Sequence, residues 1–179
     1  MVMWRTLLKY GVIAGVVAGG ALLATVAAFR GLPPSSGVGM ALGFASMLVA
    51  LSAVFVGIKH HRDTAGGGVI RFWPAFALGL GISAVAGLFY VAAWELCLVL
   101  MDQDFAAFFA NSMVEGARSQ GVDGAELERV IGEAKAFEAM YRNPLVRMPM
   151  TFVEIFPVGV LVSLVSALVL RNPRVLPAR

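Results

Sequence analysis

Four apolar runs are each long enough to cross a lipid bilayer: Leu7–Phe29, Val38–Ile58, Trp73–Met101 and Met150–Leu170. A hydrocarbon core needs roughly 20 residues of helix. An isolated apolar segment in lipid must satisfy its own backbone hydrogen bonds, so these runs read as helices, not strands. The third run is longest and must tilt or emerge from the membrane. Composition agrees: 59% of residues are hydrophobic and 14% charged, whereas soluble domains average about 45–50% and about 25%. The expected fold is all-α, an integral membrane four-helix up-down bundle formed by residues 1–179. Residues 102–147 form an extracytoplasmic αα-hairpin inserted between spans three and four. The chain is too short to carry the twin repeats of a large secondary transporter.

The connections fix neighbours and orientation. Arg30-Gly-Leu-Pro-Pro-Ser-Ser-Gly37 stops one helix and starts the next, making the first two spans antiparallel neighbours. Lys59-His-His-Arg-Asp-Thr-Ala-Gly-Gly-Gly68 reads as the second connection. Trp73 suits the membrane interface, and Pro74 suits the first turn of the third helix. With the N-terminus inside, the cytoplasmic side carries Arg5, Lys9, Lys59, Arg62, Arg71, Arg171, Arg174 and Arg179. The other side carries Arg30, Arg118, Arg129, Lys135, Arg142 and Arg147, five of them among eight acids. The short loops then obey the positive-inside rule, with both termini cytoplasmic. This asymmetry accounts for the net charge of +3 without a nucleic-acid partner. The first run exceeds the roughly 7–15 residues of a signal-peptide core, so it reads as a retained span.

The polar segment has its own helical pattern. Phe105, Phe108, Phe109 and Met113 make one apolar stripe; Leu127, Val130, Ile131, Ala134, Phe137 and Tyr141 make another. Ser119-Gln-Gly-Val122 is the turn between them, and Asp123-Gly-Ala-Glu126 has capping-box spacing with Asp as the cap. Small residues recur every four positions in the spans: Gly11, Gly15 and Gly19; Gly39 and Gly43; Ala75, Gly79, Ser83 and Gly87. Such spacing lets helices approach closely in lipid, within one chain or in a homo-oligomer.

Two carboxylates, Glu95 and Glu154, lie inside spans, where ionisable groups are costly and usually face the bundle interior or water. Glu95 is six residues before Met101 and Glu154 six after Met148. Both therefore sit roughly 9–10 Å below the same surface. Two close carboxylates call for a shared proton or a cation, with Arg142 and Arg147 the nearest candidates. Pro157 lacks an N–H, so the Val153 carbonyl loses its helical donor; the Thr151 hydroxyl is one substitute. Trp94 anchors at the interface or walls off Glu95. Helix glue and a proton or ligand site are both open readings of this pair.

Little else points to chemistry. His60 and His61 are adjacent and lack further ligands, so no metal site is expected. Lys59, Arg62 and Arg71 read as contacts to anionic lipid headgroups. Gly66-Gly67-Gly68 is no phosphate loop, lacking the GK[ST] that would follow. Cys97, the single cysteine, permits no intrachain disulfide. Neither catalytic residues nor a cofactor are expected, and the chain is not read as an enzyme.

Several pieces together resemble a bacterial membrane family catalogued as domain of unknown function 4199. They are Gly57-Ile-Lys-His-His-Arg62-Asp63, then Gly67-Gly68 and Phe72, then Tyr90-Val-Ala-Ala-Trp94-Glu95, and finally Glu154-Ile-Phe-Pro157-Val-Gly159 with Ser163-Leu164. Gly37-Val-Gly-Met40 departs from the family pattern, which often has an acidic or aromatic residue where the second span starts. The resemblance implies a four-helix protein of a bacterial inner membrane and assigns no activity. Two function classes follow. One is a non-enzymatic accessory or assembly component that binds a membrane-protein partner. The other is a small oligomeric proton-coupled transporter using Glu95 and Glu154.

Overall fold

The structure, a computed structural model, describes residues 2–28, 36–101 and 104–177, with nothing drawn from the side chains of 36–40. The Arg30–Gly37 connection and Asp102 lie largely outside these residues, as does the packing of Gly39. The order is α1 (Val2–Ala28), α2 (Ser36–Ala65), α3 (Phe72–Leu100), α4 (Phe105–Ser119), α5 (Gly124–Tyr141) and α6 (Pro144–Leu170). Four of these, α1, α2, α3 and α6, are long and apolar enough to span a membrane. Only 28–44% of each one's most apolar window is buried within the fold. The remaining apolar surface, including Val16, Leu48, Val49, Leu88 and Leu161, faces outward, as lipid requires and water penalises.

Two helices extend beyond the apolar runs. α2 continues through Lys59-His60-His61-Arg62 to Ala65, where a loop is expected from polarity alone. Nothing in that stretch breaks a helix, and the Lys59–Asp63 pair supports it at i,i+4. The stop is glycine. The Arg62 carbonyl accepts from the Gly66 and Gly68 N–H groups at 3.1 and 3.0 Å, with Gly67 and Gly68 at φ +59° and +86°. α6 begins six residues before Met150. Asn143 Oδ1 accepts from the Leu145 N–H at 3.0 Å, and Pro144 occupies the first helical position, where its missing N–H costs nothing.

The chain divides into two compact units: residues 1–94 with 151–179, and residues 95–150. In the first unit, small residues set the helix spacing. A Cβ on Gly15 would sit 2.5 Å from Phe89 Cβ, and one on Gly11 2.6 Å from Val85 Cβ. Gly19 faces Ala93 in the same way, so the whole Gly11-Gly15-Gly19 ridge of α1 is spent on α3. On another face of α3, Gly79 meets Ser163 of α6 at 2.8 Å, and Gly87 meets the Phe152 ring. Gly159 of α6 returns the contact, 2.6 Å from Ser83 Cβ. Ser83 Oγ and Ser163 Oγ are 3.3 Å apart, and the Gly159 carbonyl accepts from both hydroxyls. Met47, Leu51, Val54, Ile58, Leu78, Ile82 and Ile155 fill the space between. Gly43 differs from the other ridge glycines: a Cβ there meets nothing within 4 Å among the described residues.

In the second unit, Asp104 caps α4 by accepting from the Ala107 N–H at 3.2 Å. α4 ends at Gly121, φ +79°, with the Val122 N–H bonded back to the Ala117 carbonyl. Asp123 stands at the α5 cap position but makes no side-chain cap bond. The expected capping box is thus absent: Glu126, its other half, pairs with Arg129 instead. The two aromatic stripes pack on each other through Phe109–Phe137 and Phe105–Tyr141, with ring centroids 5.0 and 5.5 Å apart.

Gly79→Ala is expected to lower stability by about 1–3 kcal/mol through overpacking. Gly43→Ala, with free space, should be neutral or gain up to about 1 kcal/mol from helix propensity. Unfolding of the purified protein in detergent measures both.

Candidate functional site

Charged groups placed in or beside an apolar bundle must be neutralised, hydrogen-bonded or turned outward. The described residues contain one example of each.

Glu95 and Arg147 form the first. Glu95 lies in the last turns of α3 and Arg147 in the first turn of α6, both within the second unit. Arg147 Nε donates to Glu95 Oε1 at 2.8 Å, and Nη2 donates to Oε2 at 2.5 Å. This is a two-point fork on a carboxylate, with the side chains only 19% and 21% exposed. Nη1 also reaches the Arg142 carbonyl at 3.5 Å. The cation expected for Glu95 is therefore Arg147. Arg142 is engaged elsewhere, with Asp104 and Glu138. A small cavity of about 270 Å³ adjoins the pair, lined by Leu98, Asp104, Phe105, Tyr141 and Arg147 among others.

Arg62 is the second example and corrects the sequence reading. It was expected at lipid headgroups with Lys59 and Arg71, but its side chain is 0% exposed. Nε donates to Asp63 Oδ1 at 2.8 Å, Nη1 to the Val175 carbonyl at 2.9 Å and Nη2 to the Leu176 carbonyl at 2.5 Å. A longer bond from Nη1 reaches the Leu170 carbonyl, at the end of α6. The guanidinium thus fastens the segment after α6 onto the end of α2, using a planar array of donors that lysine lacks. Lys59 is half-buried and bonded to Asp63. Arg71 alone of the three is exposed and free to meet headgroups. Nearby, the His60 ring lies 5.6 Å from that of Tyr10.

Glu154 is the third. Of the two settings expected for it, the bundle interior or water, the interior is not the one it has: it is exposed. The packed face of α6 is Thr151, Ile155, Gly159, Ser163, Ser166, Ala167 and Leu170; Glu154 falls off that stripe. No hydrogen bond or ion pair joins its carboxylate to any described residue. Pro157 is exposed one turn further on and has no N–H to give the Val153 carbonyl. Thr151 is buried and Trp94 half-buried. Of the shared proton or cation expected for the carboxylates, Glu95 has the cation, Arg147, whereas Glu154 has no ion-pair partner among the described residues.

Outside the spans, α4 and α5 line an open groove of about 590 Å³ through Phe108, Asn111, Glu115, Ile131, Lys135 and Glu138 among others. Hydrogen bonds from Arg129, then its charge, hold the Glu126 carboxyl below the ordinary carboxylate value.

Removing one member of the Glu95–Arg147 pair should cost more than removing both. Arg147→Met or Glu95→Gln alone is expected to destabilise by up to about 3 kcal/mol, and the double variant by less than the sum; a double-mutant cycle on unfolding in detergent reads the coupling. Arg62→Lys should free the final segment, making cleavage after Arg171 and Arg174 by trypsin faster in the folded protein while α2 stays intact.

A family described as a protein of unknown function (DUF4199) has a model that matches residues 9–172. No curated protein and no solved structure matches the chain.

Proposed function

The chain belongs to the DUF4199 family, whose function is unknown, and from that premise and the geometry we propose a non-enzymatic accessory or assembly component of a bacterial inner membrane. The observation that carries this reading is the Glu95–Arg147 fork. A carboxylate matched at both oxygens by a guanidinium is built into a structural ion pair and offers no open face to a ligand. The bundle interior between α1, α3 and α6 is filled by glycine-to-side-chain contacts, which leaves a rigid scaffold. Its outward surface is where a protein of this build acts. Membrane lipids contact that surface, and a second copy or another membrane protein is the further partner.

The orientation proposed with it places both termini in the cytoplasm, supported by the distribution of Lys and Arg among the short loops. The proton-coupled alternative would use Glu95 and Glu154 as a pair, and the engagement of both Glu95 oxygens by Arg147 weighs against it.

Proteoliposomes carrying the purified protein and an internal pH dye should show no proton flux above empty vesicles under an imposed gradient. Flux that Glu95→Gln abolishes would overturn the accessory reading. A cysteine added at either terminus should be labelled by impermeant maleimide only after the inner membrane is opened.

A further inference from the structure

Glu154 presents an acceptor surface with no donor of its own. The carboxylate has no hydrogen bond or ion pair to any described residue, and the Val153 carbonyl beside it lacks a helical donor because residue 157 is proline. Both residues are exposed, and Val153 is 64% exposed. They lie inside an apolar span, ten residues or roughly 15 Å along α6 from Pro144. Leaving a carboxylate and a carbonyl unsatisfied in an apolar medium is costly.

The same outward face continues with the spacing of a helix-packing seam. Glu154, Pro157, Leu161, Leu164 and Leu168 follow one another at alternating steps of three and four, and all are exposed. Steps of three and four keep a stripe facing a second helix along its length. Two acceptors at one end of such a stripe specify what that helix carries. It needs a donor with several N–H groups and a positive charge, which means Lys or Arg. A second copy of this chain brings no such group to that level: of residues 7–29, 38–58, 73–101 and 150–170 only the first run holds a basic residue, Lys9, at its start and so at the end of an up-down bundle away from Glu154. The helix must come from a different polypeptide.

We propose that the outward face of α6 docks a transmembrane helix of another protein, and that a lysine or arginine within that helix binds Glu154 and the Val153 carbonyl. This rests on the accessory reading above and gives it a surface and a partner chemistry. A basic residue buried in a foreign span is itself unstable in lipid, so each helix supplies what the other lacks. Such pairing fixes depth and rotation, which apolar stripes alone leave loose.

The test uses the full-length protein in its native membrane, with benzoylphenylalanine placed at Leu161 and, separately, at Val49 on α2. Irradiation should join the Leu161 position to a span of a different polypeptide containing Lys or Arg. Glu154→Gln should reduce that adduct about tenfold, as expected for loss of a charge-assisted bond, and Glu154→Asp should retain most of it. Glu154→Lys combined with Glu at the partner's basic position should restore it. Equal elution on gel filtration shows that the variants fold. The proposal falls if the adduct is a second copy of this chain, if it is unchanged by Glu154→Gln, or if only lipid is captured at Leu161. If Leu161 fails while Val49 captures another polypeptide, the docking face is wrong and the accessory reading stands. If neither position captures a protein, both fall.

Discussion

The close approach of α3 to α1 and α6 is the contact on which the bundle depends. In lipid, burying an apolar side chain gains nothing over leaving it among acyl chains, so association rests on dispersion, which requires short distances, and on hydrogen bonds. Gly11, Gly15 and Gly19 provide those distances on one side of α3, and Gly79, Ser83, Gly87 and Gly159 on the other. Gly11, Gly15 and Gly87 receive larger groups, Val85, Phe89 and the Phe152 ring. Where small residues meet, as at Ser83, Gly159 and Ser163, the two hydroxyls donate to the Gly159 carbonyl. The α3–α6 interface therefore has direction as well as proximity, since those bonds form in only one register.

That packing decides what the charged residues can do. A bundle this tight has no room for an unpaired ion in its interior, so the charges among the described residues are displaced to an end, given a partner or, as with Glu154, turned outward. Glu95 and Arg147 belong to the unit of residues 95–150, where α3 ends and α6 begins, and there the fork satisfies both. Arg62 stands where α2 emerges from its apolar stretch, and carbonyls of the final segment close around it. This buried cation is matched by one carboxylate and by carbonyl dipoles, including that of Leu170 at the negative end of α6. The segment after α6 is consequently part of the fold.

The spans, their number and the pairing of α1 glycines with another helix were legible because length, apolarity and four-residue spacing are written directly in the chain. Arg62 was not. Its sequence neighbourhood, Lys59-His-His-Arg, has the polarity of a headgroup loop, and its acceptors are backbone carbonyls more than a hundred positions away, which carry no residue-type signal. The ends of α2 and α6 were missed because hydropathy marks where lipid stops, whereas helices stop at Gly66–Gly68 and begin at Asn143-Pro144. Gly43 shows what spacing leaves open: its separation from Gly39 matches that of Gly11 and Gly15, yet no described residue packs against it.

The two intramembrane glutamates show how far depth alone carries. Equal depth made them look like a pair, but rotation about the helix axis separates their roles. On α6 the buried residues Thr151, Ile155, Gly159 and Ser163 are spaced by four, and at about 100° per residue that stripe leaves Glu154 on its flank. Small and hydroxyl residues at that spacing already marked the packed face in the sequence, and Glu154 is not among them. An acid on the packed face would have been glue for this bundle. On the flank it makes no hydrogen bond or ion pair with any described residue, while Pro157 removes the donor from the carbonyl beside it. These two acceptors in an apolar span are what the proposed helix from outside the chain would satisfy.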